Sequence, residues 1–158
     1  MISIVCVYNN EKILNDNLLK SLKDQTSEYE LILIDNTRSE YTSAAKALNW
    51  GGEKAKGDYI MFVHQDVDLY DDTWLVIAEN ILSSIPYLGI AGVAGMSDKG
   101  NTNKERGRNI IKHGNPATIW SWGNTIQKPE IVQTLDECLI IIPKVVFNKL
   151  NFDENVCD

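Results

Sequence analysis

Apolar and polar residues alternate in blocks along the first part of the chain. Residues 2–8, 31–34, 59–63 and 88–93 are short apolar runs with little internal alternation. Runs of this length and type are typical of strands that are covered on both faces, as in the centre of a parallel sheet. The sequence therefore predicts four buried strands before residue 95.

Helical patterns separate these runs. Leu14, Leu18 and Leu22 recur every four residues, and Asn9 and Asn10 can cap the helix that they predict. A strand followed by a helix, repeated along the chain, favours a twisted, mostly parallel sheet with right-handed crossovers. The fold class expected from the pattern is α/β.

Two further helices are predicted between the remaining strands. Residues 43–48 form the first, and Asn49-Trp50-Gly51-Gly52 is expected to interrupt it. The second begins at Asp71 or Asp72, places Trp74, Ile77, Ala78, Ile81, Leu82 and Ile85 on one apolar face, and stops at Pro86.

The pattern changes after Gly95. Residues 97–109 are polar and predict a mobile loop, whereas residues 119–122 and 130–142 predict further strands. Pro143 fits the first turn of a final helix that ends near Leu150.

Composition narrows the setting. A chain of 158 residues is expected to form one domain, and 44% hydrophobic with 23% charged residues is ordinary for a soluble protein. A net charge of −7 argues against a nucleic-acid binder, whose binding surface would be basic. No apolar run approaches the roughly 20 residues of a membrane span. The three cysteines lack CxxC spacing and no signal peptide precedes the first strand, so we expect reduced thiols and a cytoplasmic location.

The most prominent polar cluster follows the run at residues 59–63. His64, Gln65, Asp66 and Asp68 come directly after it, at the end of a strand where open α/β sheets bind ligands. Carboxylate oxygens there suit Mg²⁺ or Mn²⁺, which prefer carboxylates together with substrate phosphates. The alternative is a strand that ends in a solvated polar turn.

Polar residues also end the first two strands. Asp35 could accept hydrogen bonds from a nucleobase or a ribose, or could form a simple Asx turn. Val7, Tyr8 and Asn9 end the first strand, where the alternative is a helix cap beside a core tyrosine. No GxGxxG follows this strand and no GxxxxGK[ST] occurs, which argues against a Rossmann dinucleotide site or a P-loop.

Four segments together resemble a known family. These segments are ISIVCVYNN, LILIDNT, ALNWGGEKAKGDYIMFVHQDV and NFDE. The series resembles the family 2 nucleotide-sugar glycosyltransferases of the GT-A fold, well over residues 2–75 and loosely over 135–154. The His-Gln-Asp triplet is similar to a branch that includes streptomycin-biosynthesis-type proteins.

The resemblance implies a fold and a set of site residues. The fold is a GT-A-like three-layer sandwich in a single domain, with residues 1–95 as the nucleotide-binding core and 96–158 as a partial acceptor-side region. Implied nucleotide contacts are Val7, Tyr8, Asn9, Asp35, Asn49 and Gln65. Implied metal ligands are Asp66, Asp68 and His64, which replaces the first Asp of the family's Asp-x-Asp motif.

The implied activity is transfer of a sugar from a nucleotide-diphospho-sugar to a saccharide or other hydroxyl acceptor, with inversion and with Mn²⁺ or Mg²⁺. The family's catalytic Asp follows a Phe-Asp-Glu-like segment, so we expect it beyond Asp158. Asp136 and Glu137 are the candidates within the chain. The alternatives are a catalytically silent nucleotide-sugar-binding module and a nucleotidyltransferase, although the latter's glycine-rich loop is missing from VYNNEK.

Overall fold

The computed structural model describes residues 1–114 and 123–155 and has a mixed five-stranded sheet at its centre. The strands are β1 Ile2–Tyr8, β2 Tyr29–Asp35, β3 Tyr59–Val63, β4 Ala91–Gly92, β5 Ala94–Met96, β6 Gly107–Asn109, β7 Thr134–Leu135 and β8 Leu139–Pro143. The helices are α1 Glu11–Asp16, α2 Leu18–Leu22, α3 Ala44–Lys54, α4 Trp74–Ser84, α5 Asn103–Arg106 and α6 Lys144–Phe147.

The strand order in the central sheet is β2-β1-β3-β8-β4. β1 pairs in parallel with β2 and β3, whereas β8 is antiparallel to both β3 and β4. The predicted α/β class is confirmed, and β8 makes the sheet mixed. Its five residues are all buried, so this late segment takes a central place between β3 and β4.

Apolar residues cover both faces of the sheet and create three layers. On one face, α1, α2 and α4 contribute Leu14, Leu18, Leu22, Leu75 and Leu82 to a core with Ile4, Met61 and Ile141. On the other face, α3 and α6 contribute Ala47 and Phe147 to a core with Val5, Phe62 and Ile140. Alternate residues of β3 enter opposite cores, as the period of a strand requires.

α3 continues through the break that its sequence predicts. Gly51 and Gly52 lie inside the helix and are buried. A Cβ at Gly52 would overlap the Phe147 ring, and one at Gly51 would lie 2.9 Å from Ile34 Cδ1. The glycines therefore permit close packing of the helix rather than ending it, and the predicted interruption is wrong.

Several other boundaries differ from the predictions. β2 is an edge strand with Leu31 and Leu33 exposed, and the first helix is divided at Asn17. The segment 130–142 contains β7 and β8, separated by a turn. The predicted loop 97–109 contains α5 and β6, and the latter joins β5 and β7 in a second sheet. The strand predicted at 119–122 lies outside the described residues.

The α4 helix and the strand after it also differ from their predicted forms. Thr73 rather than an aspartate precedes the helix, although Asp71 accepts a hydrogen bond from the Thr73 N–H at 2.8 Å. Leu75 and Leu82 are the buried residues of α4, while Ile77 and Ile81 of the predicted face are exposed. The strand predicted at 88–93 is reduced to β4.

The described helices are short. The longest, α3 and α4, have 11 residues each. A membrane span needs about 20 apolar residues. Within the described ranges, no helix has the length and apolar character to cross a bilayer.

The packing of α3 predicts that Gly52→Ala destabilises the fold. Overpacking against Phe147 costs about 1–3 kcal/mol, and the better helix propensity of alanine returns at most about 1 kcal/mol. We expect a lower free energy of unfolding in urea. Gly89→Ala is the matched control because its added Cβ meets no atom within 4 Å. Equal stability of the two variants would contradict this account of α3.

Candidate functional site

The carboxyl ends of β1, β2 and β3 meet at one edge of the sheet and open a crevice. Pairing between β1 and β2 continues to Tyr8 and Asp35, but pairing between β1 and β3 ends at Val5 and Phe62. The chain leaves β1 toward β2 on one side and returns to β3 on the other. Such a topological switch point is where open α/β sheets bind ligands. We call this gap the β1–β3 crevice.

Gln65 spans this crevice. Its Oε1 accepts hydrogen bonds from the backbone N–H groups of Asn9 at 3.1 Å and Asn10 at 3.0 Å. Its Nε2 donates to Asn9 Oδ1 at 2.7 Å. Gln65 and Asn9, two predicted nucleotide contacts, are therefore brought together, and they bind each other.

Asp35 and Tyr8 are neighbours across β1 and β2. Asp35 Oδ1 accepts a hydrogen bond from the Thr37 N–H at 2.8 Å, which closes an Asx turn. This bond, the Thr37 hydroxyl and the Tyr8 hydroxyl hold the pKa of Asp35 below its ordinary value. Desolvation and the Asp35 charge raise the pKa of Tyr8. The turn predicted as the alternative is thus present, and the exposed carboxylate stays ionised at neutral pH.

The three predicted metal ligands, His64, Asp66 and Asp68, are exposed at the same edge. The pKa values of Cys6 and Cys138 are raised to about 12, mainly by burial of the two thiols. The negative charge of Asp66 adds to the increase at each of them. Cys6 belongs to β1 and Cys138 precedes β8. The Asp66 carboxylate therefore interacts electrostatically with a residue of β1 and with the residue before β8, the two strands that flank β3.

The turn before β8 also reaches this edge, and no pattern in the sequence predicts that it lies beside His64. The His64 N–H donates to the Cys138 carbonyl at 2.9 Å, since β8 runs antiparallel to β3. Asp136 Oδ1 accepts from the Cys138 N–H at 3.0 Å. That bond is the first cause of a lowered pKa at Asp136, and electrostatic interactions with His64 and His113 contribute in the same direction. A carboxylate with a lowered pKa is a weaker general base.

Asn49 lies away from solvent, with 3% of its surface exposed. Its Nδ2 donates to the Phe152 carbonyl at 2.9 Å and to Glu154 Oε1 at 2.8 Å, and its Oδ1 accepts from the Phe152 N–H at 2.9 Å. The predicted nucleotide contact of Asn49 stays a prediction, because in this structure the amide bonds the segment 152–154 to α3.

A metal at the edge would need ligands from outside the protein. Among residues 1–114 and 123–155, no group of three or more His, Cys, Asp and Glu side chains is arranged to hold a metal ion. Mg²⁺ is commonly held by one or two carboxylates plus substrate phosphates and water. The exposed Asp66, with Asp68 or His64, fits that partial donor set and does not fit an all-protein cage.

A separate cleft of about 1000 Å³ lies beside β4, the last strand in the order of the central sheet. Its walls are mainly aliphatic side chains of the end of α4, of the β4–β5 segment and of residues 126–135. Glu137 also lines it, and so the cleft approaches the turn that contacts His64. The sequence pattern did not predict this cleft, since its walls come from segments that are distant along the chain.

Comparisons with known proteins agree with this architecture. A family model described as "Glycosyltransferase like family" matches residues 2–158. No curated protein sequence matches the chain. The crystal structure of S. aureus TarS 1–349 superposes with a TM-score of 0.63 at 16% identity, over 99% of this chain and 51% of TarS. The predicted GT-A-like fold is confirmed, and the chain spans about half the length of the TarS chain.

A second structure of the same protein, S. aureus TarS 1–349 in complex with UDP-GlcNAc, matches less of the chain. The TM-score is 0.48 at 19% identity, over 66% of this chain and 37% of TarS. The assignments of individual site residues remain predictions from the sequence and the geometry above.

The hydrogen bonds of Asp35 predict its titration. In Tyr8→Phe, the pKa of Asp35 should rise only partway toward its ordinary value, because the bond from the Thr37 N–H is the larger cause. Because the pKa of Asp35 is lower in the folded protein than in the unfolded chain, its ionisation stabilises the fold at pH values above the unfolded pKa. This stabilisation is lost as the pH falls through the folded pKa. Carboxyl NMR titration of both proteins measures the shift. An unchanged pKa would remove Tyr8 from the set of donors.

The buried amide of Asn49 predicts a loss of stability in Asn49→Ala. The variant leaves the Phe152 N–H and carbonyl without their partner, at a cost of about 1–3 kcal/mol. Urea unfolding measures this cost. Asn148→Ala, which removes an exposed amide from the end of α6, is the control. A similar midpoint for both variants would mean that the segment 152–154 does not depend on Asn49.

Proposed function

Because this chain belongs to the glycosyltransferase-like family, we propose that it binds a nucleotide-diphospho-sugar in the β1–β3 crevice and transfers the sugar to an acceptor hydroxyl. The observation that carries the proposal is the convergence of three polar strand ends, Tyr8, Asp35 and Asp66, at one topological switch point. The family match over residues 2–158 supports the same activity.

The nucleoside is proposed to lie beside β1 and β2. Asp35 is ionised and exposed, so one of its oxygens can accept from a base N–H or a ribose hydroxyl while Oδ1 keeps its turn. Val7, Tyr8 and Asn9 form the adjacent wall at the end of β1. A uridine nucleotide is the first probe, as UDP-GlcNAc is the ligand of the TarS complex.

The diphosphate is proposed to lie at the end of β3. Asp66, with Asp68 or His64, would hold Mn²⁺ or Mg²⁺ together with the phosphate oxygens. Such an ion supplies charge stabilisation for the departing nucleotide diphosphate. Replacement of the first motif Asp by His64 leaves one fewer carboxylate in this chain, and so the phosphates would supply more of the ligands.

The acceptor is proposed to approach from the side of the Asp136–Cys138 turn. In an inverting transfer, a carboxylate base removes a proton from the acceptor hydroxyl while that oxygen attacks the anomeric carbon and the nucleotide diphosphate departs. Asp136 is poorly suited because its pKa is lowered. Glu137 lies within the same turn and lines the aliphatic cleft, so it is the other candidate base among the described residues.

A catalytically silent nucleotide-sugar-binding module is the second candidate. The lowered pKa of Asp136 and the single-carboxylate character of the His64–Asp66 motif favour it. A nucleotidyltransferase has less support, since Asn9 and Asn10 stand where a glycine-rich loop is expected. Sugar transfer by the natural full-length chain, measured with a panel of donors and acceptors, separates an enzyme from a binding module.

Two finer assignments belong to the same proposal. Placement in the His-Gln-Asp branch rests on His64, Gln65 and Asp66 alone. A cytoplasmic location agrees with thiols at Cys6 and Cys138 that are free in the structure. Purification of the natural protein from fractionated cells would test the location.

The proposal predicts that Asp66→Ala abolishes Mn²⁺-dependent binding of UDP, because the principal protein ligand at the crevice is lost. Calorimetry with and without Mn²⁺ measures the binding, and circular dichroism measures the fold. Asp58→Ala is the matched control: Asp58 precedes the other end of β3, is exposed and bonds the Met1 ammonium group at 3.1 Å.

The outcomes distinguish the residue from the function. If Asp66→Ala binds UDP and Mn²⁺ as tightly as the unmodified chain, Asp66 is not a ligand. If the unmodified chain binds no member of a panel of uridine, guanosine and thymidine diphosphates and their sugars, the proposed donor site itself is wrong.

A further inference from the structure

Gln65 is well placed to control the shape of the β1–β3 crevice. It is half-buried, whereas the asparagines that it bonds, Asn9 and Asn10, are exposed. Its three hydrogen bonds join residues 55 and 56 positions apart in the chain. They cross the gap at the point where β1 and β3 have ceased to pair, so the side chain replaces a missing backbone connection.

The two ends of this bridge have different supports. On the β3 side, the His64 N–H is bonded to the Cys138 carbonyl and the Val67 N–H to the His64 carbonyl, which hold the backbone on both sides of Gln65. On the β1 side, the Tyr8 carbonyl before the turn accepts from the Asn36 N–H at 2.8 Å. At the start of α1, Asn10 Oδ1 accepts from the Ile13 N–H at 3.1 Å and the Asn10 carbonyl accepts from the Leu14 N–H at 3.1 Å. The bridge therefore transmits the position of β3 to the turn.

The bonds also use most of the polar groups with which Gln65 would otherwise contact a ligand. Oε1 accepts two hydrogen bonds, which fills its usual capacity, and one Nε2 hydrogen is donated to Asn9. The second Nε2 hydrogen is the part of the amide that is left for a ligand, and a nucleotide contact through Oε1 would break bonds that are already formed. We propose that Gln65 is a positioning residue, which holds the Asn9–Asn10 turn in the geometry that accepts a nucleotide diphosphate. This proposal rests on the proposed function.

The chemistry of the side chain provides matched variants. Glutamate at position 65 can accept from both backbone N–H groups but cannot donate to Asn9 Oδ1. Methionine has a similar length and makes none of the three bonds. Because Gln65 is not part of either apolar core, we expect Gln65→Met and Gln65→Glu to fold with midpoints of thermal unfolding close to that of the unmodified chain.

The first measurement is amide hydrogen exchange at Asn9 and Asn10 in the free protein, followed by NMR. These two amides should be protected in the unmodified chain, should stay largely protected in Gln65→Glu, and should exchange at least about tenfold faster in Gln65→Met. Because no nucleotide is present, this result does not depend on the proposed function. Equal protection in all three proteins would overturn the bridge.

The second measurement is the affinity for UDP with Mn²⁺ by calorimetry. Gln65→Met should bind about tenfold more weakly, since the turn must be ordered at the expense of binding energy. A loss of affinity without faster exchange at Asn9 and Asn10 would mean that Gln65 contacts the nucleotide directly, which overturns the positioning role. Faster exchange with unchanged affinity would likewise overturn it. If the unmodified chain binds no nucleotide, the proposed function fails while the exchange experiment still tests the bridge.

Discussion

Hydrogen bonding of β3 on both sides is the constraint on which the rest of the structure depends. β1 pairs with it in parallel and β8 pairs with it antiparallel. The parallel partner places the end of β1 at the carboxyl edge of the sheet, and the antiparallel partner brings the beginning of β8 to that same edge. A shift of β3 by one residue would exchange its two buried faces, and so this register is strongly specified.

The side chains of β3 extend this constraint to other elements. Phe62 lies 5.6 Å from Phe147 and 5.0 Å from Phe152 between ring centroids, so one strand residue contacts α6 and the following segment. Asn49 then bonds the backbone of Phe152 to α3. The buried part of the molecule is thereby a connected unit, whereas the polar strand ends remain available at its edge.

The prediction from sequence succeeded where a local pattern decides the structure. The bounds of β1 and β3 are those expected, because each is a continuous apolar run that has no stable alternative to burial between neighbours. It failed at Gly51 and Gly52, because a pair of glycines in the sequence usually indicates the end of a helix. The contact between Gly52 and the Phe147 ring, which explains the glycine, is visible only in the structure. It also treated β2 as buried, because an edge strand and a central one share an apolar composition.

The sequence by itself determined that His64, Gln65 and Asp66 end a buried strand, and that Tyr8 and Asp35 end two strands parallel to it, since parallel strands place their carboxyl ends together. Only the tertiary structure decided that Gln65 bonds Asn9 and Asn10, that the Asp136–Cys138 turn contacts His64, and that Asn49 holds the segment 152–154. The physical reason is that these contacts join residues 55 to 105 positions apart. Such pairs follow from strand order and direction, which the periodicity of any one segment does not contain.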